Sequence, residues 1–440
     1  MGIKVAKFGG SSVADALQIG KIKRIIENDS DIKYVVVSAP GKRFKDDSKI
    51  TDLLYLCKTH IDHKIPYEQI FQVIHDRFIS MEVDLGVNVN IADDLKEIKN
   101  EIENGASADY IASRGEYLNA KLIAAYLGFA FVDAKNIIRF SDKGKILEDV
   151  TNDSINRVLT ESGPAVIPGF YGEKLDGTIK TFSRGGSDIT GAIISRAVGA
   201  EVYENWTDVS GFMVADPRIV ENPKSIDIIT YRELRELSYM GASVLHESAI
   251  FPVRKEGIPI NIRNTNAPED KGTMIVETTC NRPDCIITGV AGKKGFVSIS
   301  IDKDMMNSEI GFGRKVLQVF EDNGISFEHM PSGIDTMTVF VHQDEFVEKE
   351  QKVLAELHRA VSPDSIDLES DLALIAVVGR GMKNNSGIAA NIFSALAKAK
   401  INIKMIDQGS SELNIIIGVR NRYFEDAIKT IYGVFIPESK

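Results

Sequence analysis

The chain has 440 residues, enough for two or three domains and a large core. Its composition, 43% hydrophobic and 26% charged, is that of a globular protein, and a net charge of -11 argues against nucleic-acid or anionic-membrane partners. No stretch reaches the length of a transmembrane helix, "MGIKVAKFGG" lacks a signal-peptide core, and three scattered cysteines suit a reducing compartment, so a cytoplasmic location is expected. Cys280 and Cys285 lack the two further ligands of a zinc site; with Cys57 they read as structural thiols, and no metal centre is expected.

The chain opens with the strand "IKVAKF", followed by "GGSS". Gly9 and Gly10 permit a tight turn whose N–H groups point outward, Ser11 adds a hydroxyl, and Lys7 adds a full positive charge. This arrangement suits phosphate, although the spacing is not that of a Walker loop and glycine pairs after strands also form plain turns. The strand "KYVVVSAP" ends at Ser38, and a charged insertion, "GKRFKDDSKI", precedes Thr51; it reads as a lid or a surface loop. In "ADYIASRGEYLNAKLIAAYLG", apolar residues at helical spacing surround Arg114 and Glu116, which places Glu116 as a partly buried carboxylate facing a site.

Next come the strands "FAFVDA" and "PAVIPGF", the turn "LDGTI", and "SRGGSD" opening a helix. A helix N-terminus there offers free N–H groups to an anion, and Arg184 can grip a carboxylate bidentately. Asp188 is either a helix cap or a ligand-binding group. "GAEVYENWT" and "IPINIRN" are further strands; between them "WTDVSGFMVADPRIV" carries polar residues on turns, and "TYRELRELSYMGASVLHESAIFPVRKEG" has helical spacing. Such alternation predicts a largely parallel sheet covered by helices, with ligands at the carboxyl ends of its strands.

"APEDKGTMIVETTCNRPDC" has turn chemistry and no period, and marks a boundary. Two copies of a strand, glycine-loop, helix, strand, turn, strand pattern follow. Gly311 to Ile325 repeats the offset from Gly387 to Ile401, and Val316 and Phe320 correspond to Ile392 and Leu396, which should face a sheet in both copies. In the first copy, Asn307, Ser308 and Gly311 present donors and acceptors at a helix N-terminus, and Glu328 is a candidate partner for an ammonium group across a subunit boundary.

Together, "KFGGSSV", "SRGE", "PGFYG…TFSRGGSD", "WTDVSGFMVADPR" and the paired repeats resemble the monofunctional aspartokinases. The resemblance implies an amino-acid-kinase three-layer α/β fold over 1–282 and two ACT-like α+β domains over 283–365 and 366–440. It implies transfer of the γ-phosphoryl group of ATP, with magnesium, to the β-carboxylate of L-aspartate. Lys7 and Asp188 would be catalytic, Ser38, Thr51, Glu116 and Arg184 would bind aspartate, and Lys7, Gly9, Gly10, Ser11, Thr207, Asp208, Phe212, Asp216 and Arg218 would bind the nucleotide. Asn307, Ser308, Gly311, Phe312, Phe327, Glu328 and Ser332 would form an effector site for lysine, or alternatively threonine, in a homodimer or higher homo-oligomer. One departure stands out: the family has lysine and proline in a "KVLHP" element where this chain reads "SVLHES", with Ser243 and Glu247. The alternatives are a kinase of another amino acid and a catalytically silent sensor with the same fold.

Overall fold

A computed structural model describes residues 2–183, 185–242, 245, 250–279, 286–383 and 385–436. Arg184, Ser243, Glu247, Cys280, Cys285 and the proposed boundary at 282 lie outside the described residues. The chain divides into two compact units. The first comprises Met1–Phe212, Ser225–Tyr231 and Val244–Thr279, and the second Met213–Lys224, Arg232–Ser243 and Cys280–Lys440.

The first unit runs β1 (Lys4–Phe8), α1 (Ala16–Asn28), β2 (Ile32–Val37), and four helices, α2 (Ile50–Asp62), α3 (Glu68–Leu85), α4 (Ile91–Glu103) and α5 (Ala108–Leu127). It continues through β3 (Ala130–Phe131), β4 (Arg139–Phe140), α6 (Glu148–Ser162), β5 (Ala165–Pro168), β6 (Tyr171–Lys174), β7 (Ile179–Thr181), α7 (Gly186–Ala197) and β8 (Val202–Thr207). Its last elements are β9 (Ile228–Thr230), Tyr231 at the start of α8 (Tyr231–Tyr239), α9 (Ile250–Arg254), β10 (Ile260–Asn264) and β11 (Thr273–Val276).

Among the described residues, eight of these strands form one sheet in the order β3-β5-β2-β1-β8-β10-β11-β9. Only the β10–β11 pairing is antiparallel, so the largely parallel sheet expected from the alternation is present. Strands of such a sheet are covered on both faces, and Val5, Ala6, Phe8, Val35, Val36 and Val37 are accordingly all fully buried. Helices α1 to α5 pack over one continuous core that contains Phe8, Val37, Ile74, Leu118 and Trp206. The long helical stretch "TYRELREL…KEG" is not one helix. α8 ends at Tyr239, just before Gly241 at φ +99°, and α9 is a separate short segment.

The second unit contains β12 (Gly289–Asp302), α10 (Phe312–Asp322), β13 (Phe327–His329), β14 (Thr336–His342), α11 (Gln343–Phe346) and α12 (Glu350–Val361). The second copy gives β15 (Ser365–Val378), α13 (Ile388–Lys398), β16 (Met405–Asp407), β17 (Asn414–Arg420) and α14 (Phe424–Phe435). Both copies show the expected helix placement: Val316, Phe320, Ile392 and Leu396 are all buried. Helices α10 and α13 each start after a glycine in the left-handed region, Gly311 at φ +84° and Gly387 at φ +88°.

The copies interlock. β12 and β15 pair antiparallel along their whole lengths, β14 joins β12 only over Phe296–Asp302, and β17 joins β15 only over Leu372–Val378. The strand order is β13-β14-β12-β15-β17-β16. Gly289–Lys294 therefore lies in the sheet half of the second copy although it precedes the first copy in the chain. The stretches Met213–Lys224 and Arg232–Ser243 are tied into this unit by hydrogen bonds. Val290 N donates to Val214 O (2.7 Å), Lys224 N to the Tyr432 hydroxyl (2.9 Å), and Asn414 Nδ2 to Glu236 Oε2 (2.6 Å).

Candidate active site

The "GGSS" turn sits at the carboxyl end of β1. Gly9 donates its N–H to Trp206 O (3.0 Å), the chain then makes a 3-10 turn over Gly10–Val13, and Ser12 shares a 2.8 Å hydrogen bond with Thr265. The loop after β2 lies directly against this turn: Gly41 N donates to Gly10 O (2.8 Å). A Cβ on Gly41 would fall 2.6 Å from the carbonyl carbon of Gly10, so only glycine permits this approach.

Buried Arg77, on α3, holds both loops by donating to Ala14 O (3.0 Å), Ser48 O (3.0 Å) and Gly41 O, with Asp47 at 3.3 Å. Burial lowers its pKa, against the pull of Asp47. Asp47 also takes a forked pair of hydrogen bonds from Arg43, which holds its carboxyl well below the usual range. The charged insertion before Thr51 thus has a buried anchor. Nothing in "GKRFKDDSKI" or "HDRF" signals that contact, because it joins segments about thirty residues apart.

Lys7 and Asp188 come together at the centre of the unit. Lys7 is buried, and its Nζ lies 2.6 Å from Asp188 Oδ1 in the first turn of α7. No side chain caps α7, so Asp188 is not its cap, and the carboxylate meets Lys7. The turn between β5 and β6, which bonds α7, is strained. Phe170 sits at φ +79°, and its N–H donates to Thr190 Oγ1 (3.1 Å).

Glu116, on α5, is buried as the helical spacing predicts. Burial pushes its carboxyl up to about 8, only partly offset by the Ala39 N–H and the nearby Arg114 charge. Its Oε2 has no hydrogen-bond partner. One turn further along α5, Asn119 donates to Ser38 O (2.7 Å), while its own buried Oδ1 is likewise unpartnered. Two adjacent acceptors without donors are what an ammonium group requires. Ser38 itself is anchored through its N–H to Phe8 O (3.2 Å), and Thr51 lies in the first turn of α2. Arg114 lies over the rings of Tyr110, Tyr117 and Tyr171, and donates to Ser113 Oγ.

The nucleotide candidates are distributed over both units. Thr207 ends β8 and donates to Asp208 Oδ1 (3.2 Å), and the exposed Asp208 follows it. The ring of Phe212 is buried and its N–H donates to Thr273 Oγ1 (2.8 Å), so this residue supports the loop and presents no ring surface to solvent. Asp216 and Arg218 belong to the second unit, where the Arg218 guanidinium bonds the Asp216 carboxylate (2.6 Å).

The effector candidates are also in the second unit. Asn307 N donates to Ile334 O (3.1 Å), the Ser308 hydroxyl to Asn307 Oδ1 (3.3 Å), and Ser332 is bridged to Met337. Gly311 precedes α10, which carries no side-chain cap; Phe312 is buried and Phe327 exposed. Glu328 already has a partner within this chain. It accepts a hydrogen bond from the Tyr239 phenol, whose pKa is pushed up to about 12 by burial and by that carboxylate.

With this geometry in view, comparison with known proteins is informative. Residues 2–264 match the Amino acid kinase family, and residues 375–435 match the ACT domain. The chain is 40% identical to Aspartokinase 3 of Bacillus subtilis over 98% of both chains. The crystal structure of Clostridium acetobutylicum aspartate kinase superposes with a TM-score of 0.92 at 51% identity, covering 99% of this chain and 100% of that one. Escherichia coli aspartokinase III, solved with aspartate and ADP, shares the fold at a TM-score of 0.74 and 24% identity, covering 98% of this chain and 99% of that one.

Proposed function

The chain belongs to the amino acid kinase family and is an aspartate kinase, and on that premise we propose that Lys7 and Asp188 form the centre of phosphoryl transfer from ATP to the β-carboxylate of L-aspartate. In this reaction the β,γ-bridging P–O bond of ATP breaks and a bond forms between the γ-phosphorus and a β-carboxylate oxygen. The products are ADP and 4-phospho-L-aspartate. The attacking carboxylate is already ionised at neutral pH, so no general base is required. Alignment and cancellation of phosphate charge carry the catalysis.

In this reading Lys7 places its charge on the transferring group, and Gly9, Gly10 and Ser11 line the phosphates. Glu116, with Asn119 beside it, receives the α-ammonium group. Arg184 takes the α-carboxylate, Ser38 and Thr51 border the substrate, and Thr207 and Asp208, on the loop that Phe212 supports, serve the nucleotide. Among the described residues no three acidic, histidine or cysteine side chains converge on a metal position. Magnesium would bind with the ATP phosphates, and Asp188 is the carboxylate that would help to hold it. It would supply further positive charge there.

The observation that carries this reading is the 2.6 Å Lys7–Asp188 contact, beside the orphaned acceptor of Glu116. Lys7→Ala should lower turnover roughly 100- to 1000-fold, about 3–4 kcal/mol, while the protein stays folded. Near-normal turnover in a folded variant would reject the assignment.

For regulation, we propose that the first repeat binds lysine between two copies of the chain. Met305, Ile310, Phe327 and Ile334 are exposed apolar residues in that repeat, Ile310 at 97%, and pairing would cover them. The uncapped start of α10 suits the effector's carboxylate. Glu328 would exchange its Tyr239 hydrogen bond for the lysine ammonium. Lysine must then favour a less active arrangement by differential affinity. Absence of lysine inhibition would reject the effector, and unchanged lysine affinity in Glu328→Ala would reject the role of Glu328.

A further inference from the structure

We propose that Asn205 is a positioning residue for phosphoryl transfer, acting by holding the Asp188 carboxylate so that Lys7 keeps free donors for phosphate. The inference rests on the Lys7–Asp188 reading above and adds a residue that it does not need. Asn205 lies in "VYENWT", on the central strand β8, and is buried. β1 and β8 are parallel neighbours, and Lys7 and Asn205 are direct register partners. Alternation along the strands puts the two side chains on one face, while Phe8 and Trp206 stack on the other at 5.9 Å.

Both cross-strand neighbours converge on the same atom. Asn205 Nδ2 donates to Asp188 Oδ1 at 2.9 Å, and Lys7 Nζ approaches that oxygen at 2.6 Å. The same face of β8 also fixes the backbone beneath: the Tyr203 hydroxyl donates to Asp188 O at 3.0 Å. Tyr203 fits only because residue 191 is glycine. A Cβ there would lie 2.6 Å from the tyrosine ring. The first turn of α7 is therefore clamped at both its backbone and its carboxylate by two residues spaced two apart on one strand.

The chemical consequence follows from counting donors. An ammonium group has three N–H bonds, and a carboxylate free to rotate can occupy two of them. With Asn205 fixing one oxygen, Asp188 takes a single Lys7 N–H through Oδ1. The other two remain available for the oxygens of the transferring phosphoryl group. Losing the clamp should thus weaken stabilisation of the transition state more than binding of either substrate.

The test is a double-mutant cycle on the full-length enzyme. Asn205→Leu keeps the approximate shape and removes the donor; Asn205→Ala serves if leucine prevents folding. We expect kcat to fall roughly 10- to 100-fold, as for loss of a hydrogen bond to a charged group, with KM for aspartate and ATP changing less than about threefold. In an Asp188→Ala background, measured by single turnover, the same change should cost less than about twofold, because the group it holds is gone. Equal losses in the two backgrounds would overturn the proposal, since a merely structural role adds. Full kcat in Asn205→Leu, together with a crippled Asp188→Ala, would overturn it while leaving the site reading intact. Full activity in Asp188→Ala would overturn both.

Discussion

Glu116 in the first unit and Glu233 in the second are both almost wholly removed from water, and their surroundings are opposite. Glu233, on α8, accepts hydrogen bonds from the Thr288 hydroxyl (2.5 Å), the Arg380 N–H (3.0 Å) and the Arg380 guanidinium (2.8 Å). Glu116, on α5, has an oxygen with no partner, and burial raises its carboxyl to about 8. A buried charge whose needs are met by its own chain is structural. One left short of donors is a cost that folding alone does not repay, and a cationic ligand can repay it.

The largest effect expected from this contrast is on stability. Glu233→Ala should destabilise the second unit by about 3 kcal/mol, because the Arg380 guanidinium, only 19% exposed, loses its carboxylate partner. Thermal or urea unfolding measures it, and a loss below about 1 kcal/mol would mean that Glu233 is not the anchor described. Glu116→Gln should do the reverse. It replaces a carboxyl that must hold a proton to stay buried with a neutral amide, so stability at neutral pH should hold or rise. The aspartate KM should rise roughly 10- to 100-fold, about 1.5–3 kcal/mol, with the ATP KM unchanged. A stability loss in Glu116→Gln comparable to that of Glu233→Ala would erase the contrast.

The raised carboxyl of Glu116 also sets a pH dependence. Its folded value of about 8 exceeds its ordinary value of 4.5, so the folded protein holds this proton more tightly than the unfolded chain. The stability it contributes is complete below 4.5 and is lost as pH rises toward about 8. An arriving ammonium favours the ionised form and must expel the proton. Aspartate affinity should therefore increase with pH by up to tenfold per unit below about 8 and then level. Calorimetry near pH 7 in buffers of different ionisation enthalpy should show close to one proton released, and none attributable to this residue in Glu116→Gln. A pH-independent affinity in the intact enzyme would place the ammonium elsewhere.

Much of the first unit was legible because its signals are local. The alternation of β-branched runs and amphipathic stretches gave the parallel sheet, and apolar neighbours at helical spacing gave the burial of Glu116. The matched offsets from Gly311 and Gly387 gave the two repeats. What escaped depends on pairing between distant segments. "YENWT" places two polar residues inside a buried strand, and only the register with β1 shows that Asn205 faces Lys7. Arg77 and Glu233 sit on helices far in sequence from the carbonyls of 14, 41 and 48, and from Arg380, which only the fold brings beside them. The interlock of β12 with β15 likewise follows from strand pairing about seventy residues apart, which no local pattern encodes.

The smallest expected effect sharpens the contrast most, because it removes one donor and no charge. Thr288→Val keeps the branched shape and deletes the hydroxyl that bonds Glu233 Oε1. That oxygen still accepts the Arg380 N–H, and Oε2 still meets the guanidinium, so the ion pair survives. The cost should be about 1–2 kcal/mol, the usual figure for a lost hydrogen bond to a charged group with partial compensation. It should exceed the roughly 0.5 kcal/mol of an ordinary surface change and fall well short of Glu233→Ala. Aspartate KM and its pH dependence should stay at their original values, since neither belongs to this unit's carboxylate. Paired unfolding curves and aspartate titrations on one preparation decide it. A negligible stability change would show that Glu233 is over-supplied with donors, and a shifted aspartate KM would show that the two carboxylates do not act independently.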